Sequence, residues 1–155
     1  GDPRRERACI ARVMLVDPEH DGALARLAEL AHDQGRYDEA HRQFQRVLLL
    51  RPGNLEIVFR LGLAARRLGR LTQARECFER VVARRPRARR AYLELGQTLI
   101  ALGEDRIAIE PLERVIWLDP VSEEAKVADY EIETLKRRDR ALRLVRSVAS
   151  PALAM

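Results

Sequence analysis

Residues 35–52 read GRYDEAHRQFQRVLLLRP, and the same arrangement of residue types recurs twice more at a spacing of 34 positions. The second copy, at 69–86, is GRLTQARECFERVVARRP, and the third, at 103–120, is GEDRIAIEPLERVIWLDP. A partial copy, GDPRRERACIARVMLVDP, occupies 1–18. A fixed period of this length is typical of a chain built from stacked copies of one supersecondary unit. The recurring columns are glycine (Gly35, Gly69, Gly103), alanine (Ala40, Ala74, Ala108), a large apolar residue (Phe44, Phe78, Leu112), valine (Val13, Val47, Val81, Val115) and proline (Pro18, Pro52, Pro86, Pro120).

Each unit has the pattern of two helices. Apolar residues recur at helical spacing on both sides of the glycine in the first copy, which predicts amphipathic helices over 21–34 and 37–50. Gly35 can adopt the positive φ that ends a helix in a tight reversal, so the second helix should fold back on the first. The apolar stripes are Leu24, Leu27, Leu30 and Ala31 in the first helix, and Ala40, Phe44, Val47 and Leu48 in the second.

Small residues stand where the paired helices should approach most closely. Ala28, Gly62 and Gly96 form one such column at the 34-residue spacing. Phe44 and Phe78 would then fill the space between neighbouring units. The prolines end each second helix and set the next turn.

The period and its small, aromatic, glycine and proline columns resemble the tetratricopeptide repeat family. The resemblance covers three full repeats, at 21–54, 55–88 and 89–122, and it implies an all-α, right-handed superhelical solenoid of antiparallel helix pairs. The chain departs from the family pattern where Leu24, Val58 and Tyr92 replace a favoured tryptophan and where Asp105 stands in the column of Tyr37.

Residues 1–20 predict only the second helix of a preceding repeat. Without a partner helix, Ile10, Val13 and Met14 are expected to be partly uncovered, which suggests that an upstream segment was removed. The same three residues would let the chain associate head to tail with the groove of a second copy.

The other end predicts a capping helix over 123–148, followed by a flexible tail at 149–155. Ser122 is a good helix N-cap, and Glu123 and Glu124 suit a first turn. The charged run 136–140 supplies the polar outer face that the end of a solenoid needs.

In this family the first helices of successive repeats line a concave surface that binds peptides, so the resemblance implies a protein-interaction groove here. Its apolar members would anchor a ligand's side chains, and its arginines would pair with carboxylates, which predicts an acidic, partly hydrophobic peptide. The alternative is that these arginines neutralise local glutamates on a solvated face. The inward positions are Ala25, Glu29, His32 and Asp33 in repeat one, Phe59, Arg60, Leu63, Arg66 and Arg67 in repeat two, and Arg90, Leu93, Glu94, Gln97 and Ile100 in repeat three.

One subclass of the family grips the C-terminal carboxylate of chaperones with lysine, asparagine and arginine at fixed positions. This chain has Ala25, Glu29, Arg60, Arg90 and Glu94 at the corresponding places, so only the basic residue at Arg90 matches. Glu29 and Glu94 would repel a carboxylate. A chaperone co-factor role of that type is not expected.

We expect neither an enzyme nor a cofactor. The histidines lie in different settings, and no glycine-rich phosphate loop or nucleophilic triad pattern is present. Glu29, His32 and Asp33 share one helix face and could hold a metal, but such groups are far more often ordinary surface chemistry. Cys9 and Cys77 occupy one repeat position and are expected to be small buried residues.

Binding of nucleic acid, or of an anionic surface, is the main alternative function. The net charge is +5, and arginines crowd the run 84–90, at the junction of repeats two and three. Acidic residues are nearly as dense elsewhere, and few aromatic residues are available for base stacking. No run of about 18 apolar residues suggests a membrane span, and the compartment stays open.

Overall fold

The computed structural model describes residues 3–149, with the side chains of 5–145. This part of the chain forms eight α-helices and no strand. Gly1 of the predicted glycine column and residues 150–155 of the predicted tail lie outside it. The helices are α1 (Pro3–Val16), α2 (Asp21–Asp33), α3 (Tyr37–Leu50), α4 (Leu55–Arg67), α5 (Leu71–Arg84), α6 (Arg89–Ala101), α7 (Asp105–Leu118) and α8 (Glu123–Ala149).

The helices pair as α2 with α3, α4 with α5 and α6 with α7. Gly35, Gly69 and Gly103 join the pairs at φ values of 75°, 73° and 78°. The residue after each glycine donates its backbone N–H to a carbonyl five residues back, as Arg36 does to Ala31 at 2.8 Å. This bond is part of a Schellman ending, which needs the positive φ that glycine adopts without strain. The prediction for these turns is confirmed, and so is the all-α solenoid of antiparallel helix pairs.

The core lies between the helix pairs, where Phe44, Phe78 and Leu112 are fully buried. Close approach at two glycines makes room for them. A Cβ added at Gly62 would lie 2.7 Å from Phe78 Cε1, and one added at Gly96 would lie 2.6 Å from Leu112 Cδ2. Both distances are well below van der Waals contact, so at these two positions only glycine fits without a shift of the buried side chain.

In α3 and α5, an arginine at the same repeat position contacts the turn before the repeat. Arg46 Nη2 lies 3.4 Å from the carbonyl oxygen of Pro18, and Arg80 donates in the same way to the carbonyl of Pro52. Part of the arginine content of this chain therefore belongs to the joints between repeats.

The amino-terminal helix α1 is better covered than the sequence suggested. Ile10 is only 8% exposed and packs against Ala23 and Leu30 of α2, so the expectation that it would be uncovered is wrong. Met14 is half-buried, and Val13 is 41% exposed. Ile10 faces α2, whereas Val13 lies outside this contact.

The two cysteines differ although they share a repeat position. Cys77 is buried, and burial raises the pKa of its thiol to about 11. Cys9 is exposed, because no helix of the described chain covers its side of α1. The prediction of two buried cysteines is wrong for Cys9.

Helix α8 packs on α7 and α6 at the carboxyl end of the described array. Ser122 Oγ accepts from the backbone N–H of Ala125 at 3.2 Å, which confirms the predicted N-cap. The α8 face toward α6 and α7 is buried, whereas Tyr130 is 73% exposed in the column that Gly62 and Gly96 occupy. The division into repeat units at 21–54, 55–88 and 89–122 stays a prediction.

Candidate functional site

Side chains from α2, α4, α6 and α8 contact one another along one side of the array, which we call the first-helix face. Arg60 of α4 lies 3.5 Å from Glu29 of α2, and Arg66 of α4 lies 2.9 Å from Glu94 of α6. Gln97 of α6 donates to Glu131 of α8 at 2.9 Å. The predicted positions Glu29, Arg60, Arg66, Glu94 and Gln97 therefore lie on one continuous surface.

Apolar side chains form the middle of this face. Phe59, Leu63, Leu93 and Ile100 are each half-buried, so each keeps part of its surface in contact with solvent. The Phe59 ring also packs on Phe78, with the ring centroids 5.7 Å apart. Phe59 therefore lies on the first-helix face and also packs against the core beneath it, so its removal would disturb both.

Arg66 is already engaged within the chain. Its guanidinium forms the ion pair with Glu94 and donates to Gln97 Oε1 at 2.9 Å. Because Gln97 in turn donates to Glu131, the network links α4, α6 and α8. The interpretation in which arginines neutralise local glutamates holds for Arg66, which has little capacity left for a partner's carboxylate.

The ion pairs continue toward the amino-terminal end of the face. Arg60 Nε lies 3.0 Å from Glu56, in addition to its contact with Glu29. Glu29 also pairs with Arg26 at 2.7 Å, and Arg26 reaches back to Glu6 of α1. In this half of the first-helix face, acidic and basic side chains alternate and pair with one another, so their charges are neutralised within the chain.

Two arginines of the predicted groove stay outside these networks. Arg67 and Arg90 are exposed, and neither forms an ion pair with any residue that the structure describes. The guanidinium carbon of Arg90 lies 5.8 Å from the centroid of the Phe59 ring, within the range of a cation–π contact. Arg90 thus holds an unneutralised charge directly beside the apolar row.

Glu131 of α8 is the last residue in the hydrogen-bond network that runs from Arg66 through Gln97. Burial raises the pKa of its carboxyl, against the smaller opposing effects of the hydrogen bond from Gln97 and the charge of Arg66. Its Oε2 atom is buried and has no hydrogen-bond donor among the described residues. The charged form of this carboxyl is therefore disfavoured in the folded chain.

A raised carboxyl pKa means that the folded state is stabilised most when Glu131 is protonated, and that this stabilisation is lost as the pH rises through the raised value. Glu131→Gln removes the charge and keeps an oxygen for Gln97. We expect its denaturation midpoint to exceed that of the wild type near about pH 7, with the difference shrinking toward about pH 4. The control is Glu133→Gln on the same helix, because Lys136 lowers the pKa of that carboxyl. If the difference in midpoint between Glu131→Gln and the wild type does not change with pH, the raised pKa of Glu131 does not affect stability.

The metal interpretation gains no support from the geometry. His32 Nδ1 lies 3.6 Å from Asp33 Oδ1, while its ring contacts Tyr37 edge-on, and Glu29 faces its arginines. Among the described residues, no group of three or more histidine, cysteine, aspartate or glutamate side chains is arranged to hold a metal ion.

Models of known protein families match part of this chain. Two family models, both described as tetratricopeptide repeat, match residues 31–92 and 1–54. Together they span more than half of the chain. The chain belongs to the tetratricopeptide repeat family.

Solved structures of other tetratricopeptide proteins share this fold. The chain resembles MamA from Desulfovibrio magneticus RS-1 at 21% identity and a TM-score of 0.75, covering 91% of this chain and 88% of that one. YrrB, a tetratricopeptide protein described as having an unusual peptide-binding site, matches at 19% identity and a TM-score of 0.79, with coverage of 89% and 70%. The first tetratricopeptide domain of Spaghetti (RPAP3), bound to an HSP90 peptide, matches at 24% identity and a TM-score of 0.70, with coverage of 79% and 94%. A comparison with curated proteins found no match.

The basic run between the second and third tetratricopeptide repeats is only partly free. Arg84, Arg85 and Arg87 are exposed, whereas Arg89 pairs with Asp119. In repeat one the matching pair joins Asp21 to Arg51, and in repeat three the two charges are exchanged. Repeat two has leucine at position 55 in the acidic column, so Arg85 has no counterpart. That substitution was the sequence signal for a free basic turn.

One exposed apolar feature was not among the residues predicted from the sequence. Trp117 and Ile107 of α7 are 68% and 54% exposed, at the mouth of a trough between α5 and α7. The available signal was an apolar residue in an exposed column, since Leu15 and Leu49 occupy the same column of the 34-residue period as Trp117. Within residues 3–149, no helix combines the length and apolar character that crossing a membrane would require.

Proposed function

We propose that this chain is a protein-interaction module whose first-helix face binds a partner segment with an acidic group next to an apolar side chain. The observation on which the proposal depends most is the position of Arg90. Its exposed guanidinium lies over Phe59 and lacks a carboxylate partner among the described residues, beside half-buried Leu93. An acidic group would pair with the cation while its apolar neighbour covers the row.

Of the positions that bind a chaperone's C-terminal carboxylate in the subclass described above, the proposed site keeps the matching basic residue only at Arg90. The domain of Spaghetti was solved with the HSP90 peptide SRMEEVD, which contains acidic residues beside methionine. Our proposal shares that general chemistry, an acidic and partly apolar segment. It places the cation at Arg90 and Arg67, and Glu29 and Glu94 are already occupied by arginines. The proposal assigns no reaction to the chain.

Peptide selection from a random library displayed on phage tests the proposal directly. We expect selected sequences to be enriched in aspartate or glutamate beside a large apolar residue. Arg90→Ala should then weaken binding of a selected peptide by about 1 kcal/mol, roughly fivefold, as measured by calorimetry. Leu93→Ser should weaken it further, because it removes part of the apolar anchor.

The matched control is Arg106→Ala, which removes the same charge from an exposed site on α7. It should bind the selected peptides as the wild type does. Equal loss for Arg90→Ala and Arg106→Ala would show that only net charge matters, and selection of peptides without acidic residues would contradict the proposal.

A second candidate function is the binding of nucleic acid or another anionic surface by the free basic turn. It is favoured by the three exposed arginines at 84, 85 and 87, which no described carboxylate pairs. Such binding would weaken steeply with salt, because each phosphate contact releases counterions. Replacing these three arginines with glutamine would abolish it and leave peptide binding at Arg90 intact.

Self-association through α1 is the third candidate. With Ile10 buried, its remaining exposed contributor is Val13, next to half-buried Met14. These three residues therefore offer less apolar surface than the sequence suggested, although Leu15 and Val16 at the end of α1 are 84% and 89% exposed.

A further inference from the structure

The second helices of the repeats form the side of the array opposite the first-helix face, and a trough lies there between α5 and α7. This trough has the features of a docking surface rather than of a packing defect in the core. It has a volume of about 670 Å³ and lies between α5 and α7, above α6. Val82, Leu95, Leu99 and Pro111 form its apolar floor. Exposed Trp117 and Ile107, on the other hand, contribute nothing to the buried core, since solvent reaches most of each side chain. Exposed apolar surface of this extent on a folded chain usually has a partner.

The rim of the trough is acidic. Glu110 and Glu113 of α7 line it and are exposed, and neither forms an ion pair within the described part of the chain. Glu79 on the opposite rim is held by Arg75 at 2.7 Å. The nearby cation of Arg114 lies 4.0 Å from the centroid of the Trp117 ring, so it covers the ring rather than the carboxylates. A suitable occupant is therefore apolar on one side and basic around it.

The distal half of α8 has that character. Its first half, 123–135, packs on α6 and α7, whereas Leu142 and Val145 beyond it are 60% and 66% exposed. These two residues lie three apart and so share one helix face. The described segment 136–145 contains five basic residues and one acidic residue. It is a basic amphipathic helix with no described partner for its apolar face.

The distal half cannot reach the trough of its own chain. Helix α8 is continuous over 27 residues and contains neither glycine nor proline, so nothing in it allows a reversal. Its 14 residues beyond 135 match the 14-residue lengths of α5 and α7, between which they would lie. Both surfaces are complete in one molecule, but they can meet only between two.

We propose that the distal half of α8 from one molecule docks in the trough between α5 and α7 of a second copy. Leu142 and Val145 would cover Trp117 and Ile107, and the arginines of the helix would face Glu110 and Glu113. The contact joins two different surfaces, so it adds molecules head to tail rather than closing a symmetric dimer. It uses the face opposite the proposed peptide groove and does not depend on it.

Sedimentation velocity over a concentration series tests the proposal on the full chain. We expect the mass to rise from the 17.8 kDa of the monomer toward multiples of it. Trp117, the only tryptophan in the chain, should shift its emission to shorter wavelength over the same range. A constant monomer mass with unchanged emission would overturn the proposal.

Two variants identify the surfaces. The helix variant is Leu142→Glu with Val145→Glu, and the trough variant is Glu110→Arg with Glu113→Arg; all four sites are exposed, so folding should persist. Each variant alone should stay monomeric. An equimolar mixture should form heterodimers, because one partner keeps its trough and the other keeps its helix. Association that survives in either variant alone, or a mixture that stays monomeric, would overturn the proposal.

Two further samples separate this contact from other causes. Arg90→Ala should associate as the wild type does, because the peptide groove is not involved, and loss of association in this variant would overturn the proposal. Vesicles with anionic lipid test the competing occupant. Binding to them that requires Leu142 and Val145, in a chain that stays monomeric without vesicles, would assign the distal helix to a membrane surface and overturn the proposal.

Discussion

Phe78→Ala is expected to lower the free energy of unfolding by about 3–5 kcal/mol. The Phe78 ring is fully buried in the cluster that joins the second repeat to the third, and it contacts Phe59 and the backbone at Gly62. Since each repeat of a solenoid contacts only its neighbours, a cavity here weakens the coupling between the two halves. The loss is a large fraction of the total stability of an ordinary domain.

Denaturant unfolding followed by circular dichroism measures this loss. The matched control is Tyr130→Ala, which removes a large aromatic ring that is 73% exposed on α8. It should change stability by less than about 0.5 kcal/mol. Similar midpoints for the two variants would mean that the core between the repeats is not where the structure places it.

Arg66→Ala should be the second most damaging change, at about 2–3 kcal/mol. The side chain of Glu94 is only 12% exposed, and it would keep its negative charge without the cation that now lies 2.9 Å away. Gln97 would lose the donor to its oxygen as well. This cost distinguishes an arginine that stabilises the fold, such as Arg66, from an exposed arginine that is free to bind a partner.

A double-mutant cycle makes the attribution specific. Arg66→Ala combined with Glu94→Ala should recover part of the loss, because the uncompensated charge is gone. Arg67→Ala, next in sequence and exposed, should fall within about 0.5 kcal/mol of the wild type. If Arg66→Ala is as mild as Arg67→Ala, the network between α4 and α6 does not exist in solution.

The fold could be predicted from the sequence because its determinants are local and repeated. Gly35 ends its helix at positive φ as expected, and the alanine and phenylalanine columns are buried where the period places them. Ser122 caps α8 for the same local reason. Errors arose where a column meets a different environment, as at Cys9, which shares its position with Cys77 but lacks a covering helix among those described.

The charges of the groove could not be predicted in the same way. Arg66 and Arg90 occupy similar surfaces, and only the distances across neighbouring repeats show that one faces Glu94 and the other faces a ring. Side-chain pairing between helices depends on where both partners point, and the 34-residue period does not fix that. The opposite was true of Arg85, whose missing counterpart is visible in the sequence as Leu55.

The most direct test of the proposed function is to map the binding of a selected acidic peptide by nuclear magnetic resonance on the isotope-labelled chain. We predict that the shifted backbone and side-chain signals will cluster on α4 and α6, at Phe59, Leu63, Arg90, Leu93 and Ile100. Signals at Trp117, on the opposite face, should not move when the protein is dilute enough to be monomeric. Shifts confined to the basic turn at 84–87 or to the trough around Trp117 would contradict the claim that the first-helix face is the binding site.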